Sequence, residues 1–209
     1  MDKFKNKYRI PSARLPHWDY GANAAYFVTI CTAHRVCFFG DIQNHEMQLS
    51  PIGKIVETEW RKTFELRRDM NLEMDVFVVM PNHFHAIIII GENEFNTNPE
   101  NQRRDAMHGV STNTINPENP RRDAMHGVST GKPPQNKFGP QSKNLSSIIR
   151  GFKSAVTIAA RQIDAEFAWQ SRYYDHIIRD EKTYFNIHEY IINNPRQWDR
   201  DDYYNRREQ

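Results

Sequence analysis

The chain lacks three things that would have settled its class early. It has no apolar run approaching the ~18 residues that a membrane-spanning helix needs. Its first residues, Met1-Asp2-Lys3-Phe4-Lys5-Asn6-Lys7, lack the apolar core of a secretory signal, so a soluble, cytoplasmic protein is expected. It has only two cysteines, Cys31 and Cys37, with no CxxC pair, which argues against a disulfide framework or a zinc knuckle and fits a reducing compartment. It also has almost no net charge, +2 over 209 residues, so a partner cannot be inferred from an overall electrostatic excess.

What charge there is sits unevenly. Residues 1–40 carry six Lys or Arg against two acids, and residues 41–95 carry five against ten. The basic arm (Lys3, Lys5, Lys7, Arg9, Arg14) permits a nucleic-acid partner and equally suits a solvated tail. The length suits one sizeable domain with its own core. Between 96 and 143 the composition turns to Asn, Pro, Ser, Thr, Gly and Arg, and residues 98–112 recur as 116–130 with one difference and a period of 18 residues. Two units offering only Ala, Met and Val as apolar side chains cannot stack into a solenoid, so a disordered, duplicated loop is expected, with His108 and His126 unable to preorganise a site.

The remaining segments separate by pattern. Ala25 to Cys31 is aromatic and β-branched and reads as a strand. Ser50 caps a helix with Pro51 in its first turn, and Ile52, Ile55, Val56, Trp60 and Phe64 carry it to about Arg68. Leu72 to Met80 and His83 to Ile90 form a hairpin about the Pro81-Asn82 break. Asn144 or Ser146 caps a second helix, Leu145 to about Gln162, with an apolar stripe of Leu145, Ile148, Ile149, Phe152 and Val156. Trp169 to Ile178 supplies a fourth strand, and Glu181 to Asn194 a last helix that Pro195 ends. The order β-α-β-β-α-β-α predicts an α+β, ferredoxin-like split βαβ sandwich, with a four-stranded antiparallel sheet and an added C-terminal helix. Helices are expected on one sheet face, leaving the other open.

The chemistry concentrates in two places. Met80-Pro81-Asn82-His83-Phe84-His85 opens an apolar strand, and alternation puts His83 and His85 on one side, about 6–7 Å apart along the backbone, with Phe84 on the other. Imidazoles so placed form a chelate that lacks one further ligand. Tyr190 and Asn194 stand four residues apart and project from one face of the last helix, pairing a nucleophile with an oxygen ligand. Two imidazoles and an amide oxygen suit Mg²⁺ or Mn²⁺ when phosphate oxygens complete the shell. On spacing alone, structural histidines and a packed tyrosine account for the same residues.

The segments MPNHFHAIIII, GFKSAV, YYDHIIRDE and YIINNP, in that order, resemble the REP-associated tyrosine transposases, a branch of the single-tyrosine HUH superfamily of insertion-sequence transposases. The resemblance spans residues 8–200 apart from the insert. It implies a basic arm at 1–20, a transposase-like domain at 21–95 and 144–200, an insertion at 96–143 and a tail at 201–209. It implies that His83, His85 and Asn194 hold a divalent metal, Mg²⁺ or Mn²⁺, Asn194 standing where the family places a polar side chain one turn after the tyrosine. It implies that Tyr190 attacks a single-stranded or hairpin DNA phosphodiester, giving a 5′-phosphotyrosine link that a 3′-hydroxyl later reverses. Lys153, in GFKSAV, with Arg150, Arg14 and Arg179, are the basic candidates for DNA contact. Tyr173 and Tyr174 read as sheet packing or base stacking, Asp175 and His176 as neighbours of the site or a structural pair, and Trp169 and Trp198 as packing residues. Pairing of sheet edges would allow a homodimer. Two other classes fit the same residues: a non-catalytic hairpin DNA or RNA-binding module, and a metal-dependent nuclease that activates water.

Overall fold

The computed structural model describes residues 3–4, 7–8, 15, 18–97 and 142–204. Most of the basic arm, Arg14 included, the whole duplicated segment with His108 and His126, and residues 205–209 lie outside the described residues. Two short strands, β1 (Lys3–Phe4) and β2 (Lys7–Tyr8), pair with each other. The main sheet contains β3 (Ala24–Cys31), β6 (Leu72–Val79), β7 (His83–Ile90) and β8 (Tyr174–Ile178), in the order β6-β7-β3-β8 with every neighbouring pair antiparallel. Helices α1 (Pro51–Glu65) and α2 (Leu145–Ala160) fill the two crossovers, and α3 (Glu181–Asn193) follows β8. This is the expected α+β, ferredoxin-like arrangement with its added helix. No helix among the described residues is long and apolar enough to cross a membrane.

Local chemistry explains the boundaries. Ser50 Oγ accepts the Gly53 N–H at 3.0 Å and Pro51 fills the first helical position of α1. That helix stops at Glu65, short of the expected Arg68; a 3₁₀ turn at Arg68–Met70 and Asn71, at a left-handed φ of 47°, swing the chain into β6. Asn144, not Ser146, caps α2, in a reciprocal box with Ser147. β8 is shorter than predicted because Trp169 leaves the strand course for an aromatic cluster with Phe39 and Phe167, and reaches the sheet only through an isolated bridge to Thr32. An unpredicted hairpin, β4 (Gly40–Gln43) with β5 (Glu46–Leu49), turns on Asn44 and His45, whose φ values of 52° and 65° match the primed turn that hairpins favour.

β7 divides the molecule by alternation. Phe84, Ala86, Ile88 and Ile90 face α1 and α2, where Trp60 meets Phe84 and Phe152 edge-on with centroids 5.0 and 5.1 Å apart. Ile87 faces the other way, against Phe27 and Ile191. That second face is not open, as expected, but covered: α3 lays Tyr184, Ile187 and Ile191 over Phe27, Ile87 and Ile89. The amphipathic helix has this apolar strip to bury, and Tyr184 Oη anchors it to β6 by donating to Asp75 Oδ2 at 2.6 Å.

Candidate active site

His83 and His85 stand opposite Cys31 and Thr29 of the central strand β3, on the α3 side of the sheet. Their ring centroids are 4.5 Å apart, and both side chains are buried, not solvent-facing. Each ring is oriented through Nδ1. His83 Nδ1–H donates to Asn82 Oδ1 at 2.9 Å, and His85 Nδ1 meets Thr29 Oγ1 at 2.8 Å. Because Asn82 Oδ1 accepts, the His83 proton sits on Nδ1 and its Nε2 is left a lone pair, while His85 Nε2 faces Tyr190 Oη. Burial holds both imidazoles neutral: His85 is pushed down to about 3, and His83 falls well below the usual histidine range through burial and then the neighbouring His85 and Arg35.

Tyr190 reaches this pair from the third turn of α3, its Oη lying 3.2 Å from His85 Nε2. The ring is 41% exposed, so the hydroxyl is anchored inside while solvent reaches one side. Burial, with Asp201, Tyr203 and Asp202 nearby, raises the phenol to about 12, partly offset by the neighbouring Asn194 amide. Asn194 opens the 3₁₀ turn that follows α3, Asn194–Arg200, and its side chain is buried. Its Nδ2 donates to Asp201 Oδ2 at 2.9 Å. This fixes the amide orientation, since a reversed amide would set its oxygen against a carboxylate. Asn194 Oδ1 and His83 Nε2 are then buried acceptors with no hydrogen-bond partner among the described residues. Ligand atoms of His83, His85 and Asp201 all lie within 4.8 Å of one another. The two orphaned acceptors, with the second imidazole, His85, and the Asp201 carboxylate beside them, form a donor set that a divalent cation would satisfy.

No family model matches the chain. An uncharacterized protein of Haemophilus influenzae is 36% identical to it over 195 residues, spanning 92% of this chain and 92% of that protein. The chain belongs to that protein's family. Among solved structures, a REP-associated tyrosine transposase bound to a REP hairpin is similar with a TM-score of 0.51 and 17% identity, over 90% of this chain and 74% of that one. At that identity the likeness establishes a common fold.

Within this family member the remaining candidates scatter. Lys153, on α2, donates to Gln170 O at 2.6 Å beneath Trp169, and burial lowers its amine to about 8. Arg150 is exposed beside Arg67 on the α1–α2 side, away from the histidines. Arg179 lies over Trp18 just past Ile178, which pairs with Ala25; that is four residues, about 13 Å, along the sheet from the Thr29–His85 level. Tyr173 packs into the main core, whereas Tyr174 is exposed on the site face. Asp175 and His176 point to opposite faces of β8 and so do not pair. Trp169 and Trp198 both pack, the latter with its ring centroid 6.0 Å from that of His83.

Asp201 and Tyr203 were missed from sequence because they fall in the stretch read as a tail. Tyr203 stacks over His83 at 4.6 Å, holds the Arg35 guanidinium 4.9 Å above its own ring, and accepts at its carbonyl from Asn82 Nδ2. No local period marks Asp201 or Tyr203: α3 ends at Asn193, and a 3₁₀ turn through Pro195 carries the chain to an extended Asp201, so helical spacing from Tyr190 does not reach it.

Proposed function

We propose that this protein is a transposase-like DNA strand transferase that cleaves single-stranded or hairpin DNA with Tyr190 and rejoins it, with a divalent metal ion in its site. The observation that carries this reading is the placement of Tyr190 Oη 3.2 Å from His85 Nε2, beside the orphaned acceptors of His83 and Asn194. The common fold with a tyrosine transposase solved on a REP hairpin supports DNA as the substrate class.

His83, His85 and Asn194 would hold Mg²⁺ or Mn²⁺, with Asp201 as a fourth ligand or as the group that aims Asn194. When bound, the ion would supply positive charge that lowers the Tyr190 phenol from about 12 and offsets the charge of the phosphate. The chain does the rest. Thr29 and Asn82 fix the two rings, Asp201 fixes the Asn194 amide, and α3 sets the phenol at the rim. Attack by Tyr190 Oη on phosphorus forms the Tyr–O–P bond and breaks the P–O3′ bond, leaving a 5′-phosphotyrosine; the phenol proton is balanced by the one the 3′-hydroxyl gains. Attack by a 3′-hydroxyl reverses the step, so no external energy source is required.

The test is incubation of the full chain with Mn²⁺ and a labelled hairpin oligonucleotide, followed by denaturing electrophoresis. A protein-linked band that disappears in Tyr190→Phe is expected. Cleaved DNA with no protein-linked product would instead favour a nuclease that activates water, and binding that ignores chelators and Tyr190→Phe would favour a non-catalytic hairpin-binding module.

A further inference from the structure

The proposed site accounts for the histidine cluster beneath α3 but not for the aromatic surface beside it. Among the described residues β8 is an edge strand, paired only with β3, and its alternate residues Tyr174 and His176 lie on the site face opposite Thr29 and Phe27. α3 covers Ile178 at one end of this strand, yet Tyr174 is 53% exposed and His176 is exposed. A large aromatic ring left in water on a sheet face is normally buried or used. This one is held from below: Phe27 meets Tyr174 edge-on at 6.2 Å, and the same Phe27 ring meets Tyr190 at 6.2 Å and stacks on His85 at 5.4 Å. One buried phenylalanine therefore sets the exposed ring beside the proposed nucleophile.

We propose that Tyr174, with His176 as a second position, is a stacking shelf for the unpaired bases that flank the phosphate presented to Tyr190. The proposal rests on the strand-transferase reading above, since that reading supplies the single strand. Alternate strand residues are about 6–7 Å apart, close to one nucleotide step of an extended strand. Exposed aromatics on the sheet of a four-stranded α+β domain are a recurring device for holding splayed bases, and they tolerate any base because each has a π-face. The charges agree: Arg172 precedes the strand, and the strand's one carboxylate, Asp175, lies on the opposite face from Tyr174 and His176.

The experiment measures binding of a fluorescein-labelled single-stranded oligonucleotide to the full chain, together with quenching of a 2-aminopurine placed next to the cleavage point. Tyr174→Ala is expected to weaken binding about 10-fold or more and to relieve the quenching, Tyr174→Phe to bind like the unaltered protein, and His176→Ala to show a smaller loss. Tyr174→Leu, which keeps an apolar side chain but has no π-face, is expected to match the alanine variant, so a folding defect in one variant does not leave the question open. Full binding and quenching by Tyr174→Ala, in a protein that still forms the Tyr190 adduct, would overturn the shelf and leave the strand-transferase reading standing. Weakened binding by Tyr174→Ala, where the unaltered protein itself forms no adduct, would overturn that reading and reduce the shelf to single-strand binding without cleavage.

Discussion

The two faces of β7 are neighbours through one backbone and opposites in chemistry. Toward α1 and α2, Phe84 meets Trp60 and Phe152 in a dry aromatic packing whose unpartnered polar atom, Trp60 Nε1, is a single donor among rings. Toward α3, His83 and His85 meet Tyr190, Asn194 and Asp201, and the unpartnered atoms are acceptors gathered in one place. The first orphan is a modest cost that aromatic burial offsets. The second kind converges, and burial that keeps both imidazoles neutral also keeps their lone pairs available. One face therefore stores stability, and the other holds desolvated ligands that gain by meeting a cation.

Substitutions can test that division. The largest expected effect is chemical: Tyr190→Phe should remove all denaturant-resistant DNA adduct while shifting the urea midpoint little, because the ring and its packing remain and a single 3.2 Å contact with His85 is lost. Next, Trp60→Ala on the dry face should cost about 3–5 kcal/mol of folding stability, read from urea unfolding. His83→Ala should cost clearly less and should abolish Mn²⁺ binding in calorimetric titration; equal stability losses for the two would break the comparison. In the unaltered protein, Mn²⁺ at about 100 times its dissociation constant should add about 2.7 kcal/mol of stability, which a chelator reverses. A smaller effect is expected of Asp201→Asn, with metal affinity reduced about 10- to 100-fold and thermal unfolding little changed, since the residue acts on the donor set and carries no packing.

The smallest effect belongs to Lys153, which lies outside the metal cluster. Its folded-state amine sits at about 8, below the ordinary lysine value of 10.5, so between those pH values the unfolded chain binds more protons than the folded one. Stability contributed at this position should therefore rise with pH across that window, and Lys153→Met should remove the rise. Partial exposure keeps it small, and an amine titration by NMR reads it directly.

The sequence by itself determined the secondary structure that carries the chemistry. The bounds of β7 follow from the Pro81-Asn82 break and the unbroken apolar run after it, and strict alternation put His83 and His85 together with Phe84 opposed. Helical spacing put Tyr190 and Asn194 on one face. These are local properties, decided by periods of two and 3.6 residues that need no knowledge of the rest of the chain. The element order was enough for the ferredoxin-like topology, because few topologies satisfy it.

Tertiary structure alone decided what those residues experience. That α3 closes over the sheet, burying the histidines and bringing Tyr190 to 3.2 Å from one of them, depends on Ile187 and Ile191 meeting Phe27 and Ile87, residues at least 100 positions away in sequence. That Asp201 aims Asn194, that Tyr203 caps His83, and that Lys153 serves Gln170 while Tyr174 stands exposed are all long-range outcomes. Periodicity states which way a side chain points from its own strand or helix. Burial, desolvation and the partner it finds are set by what packs against it, and these turn two imidazoles on a strand into a site.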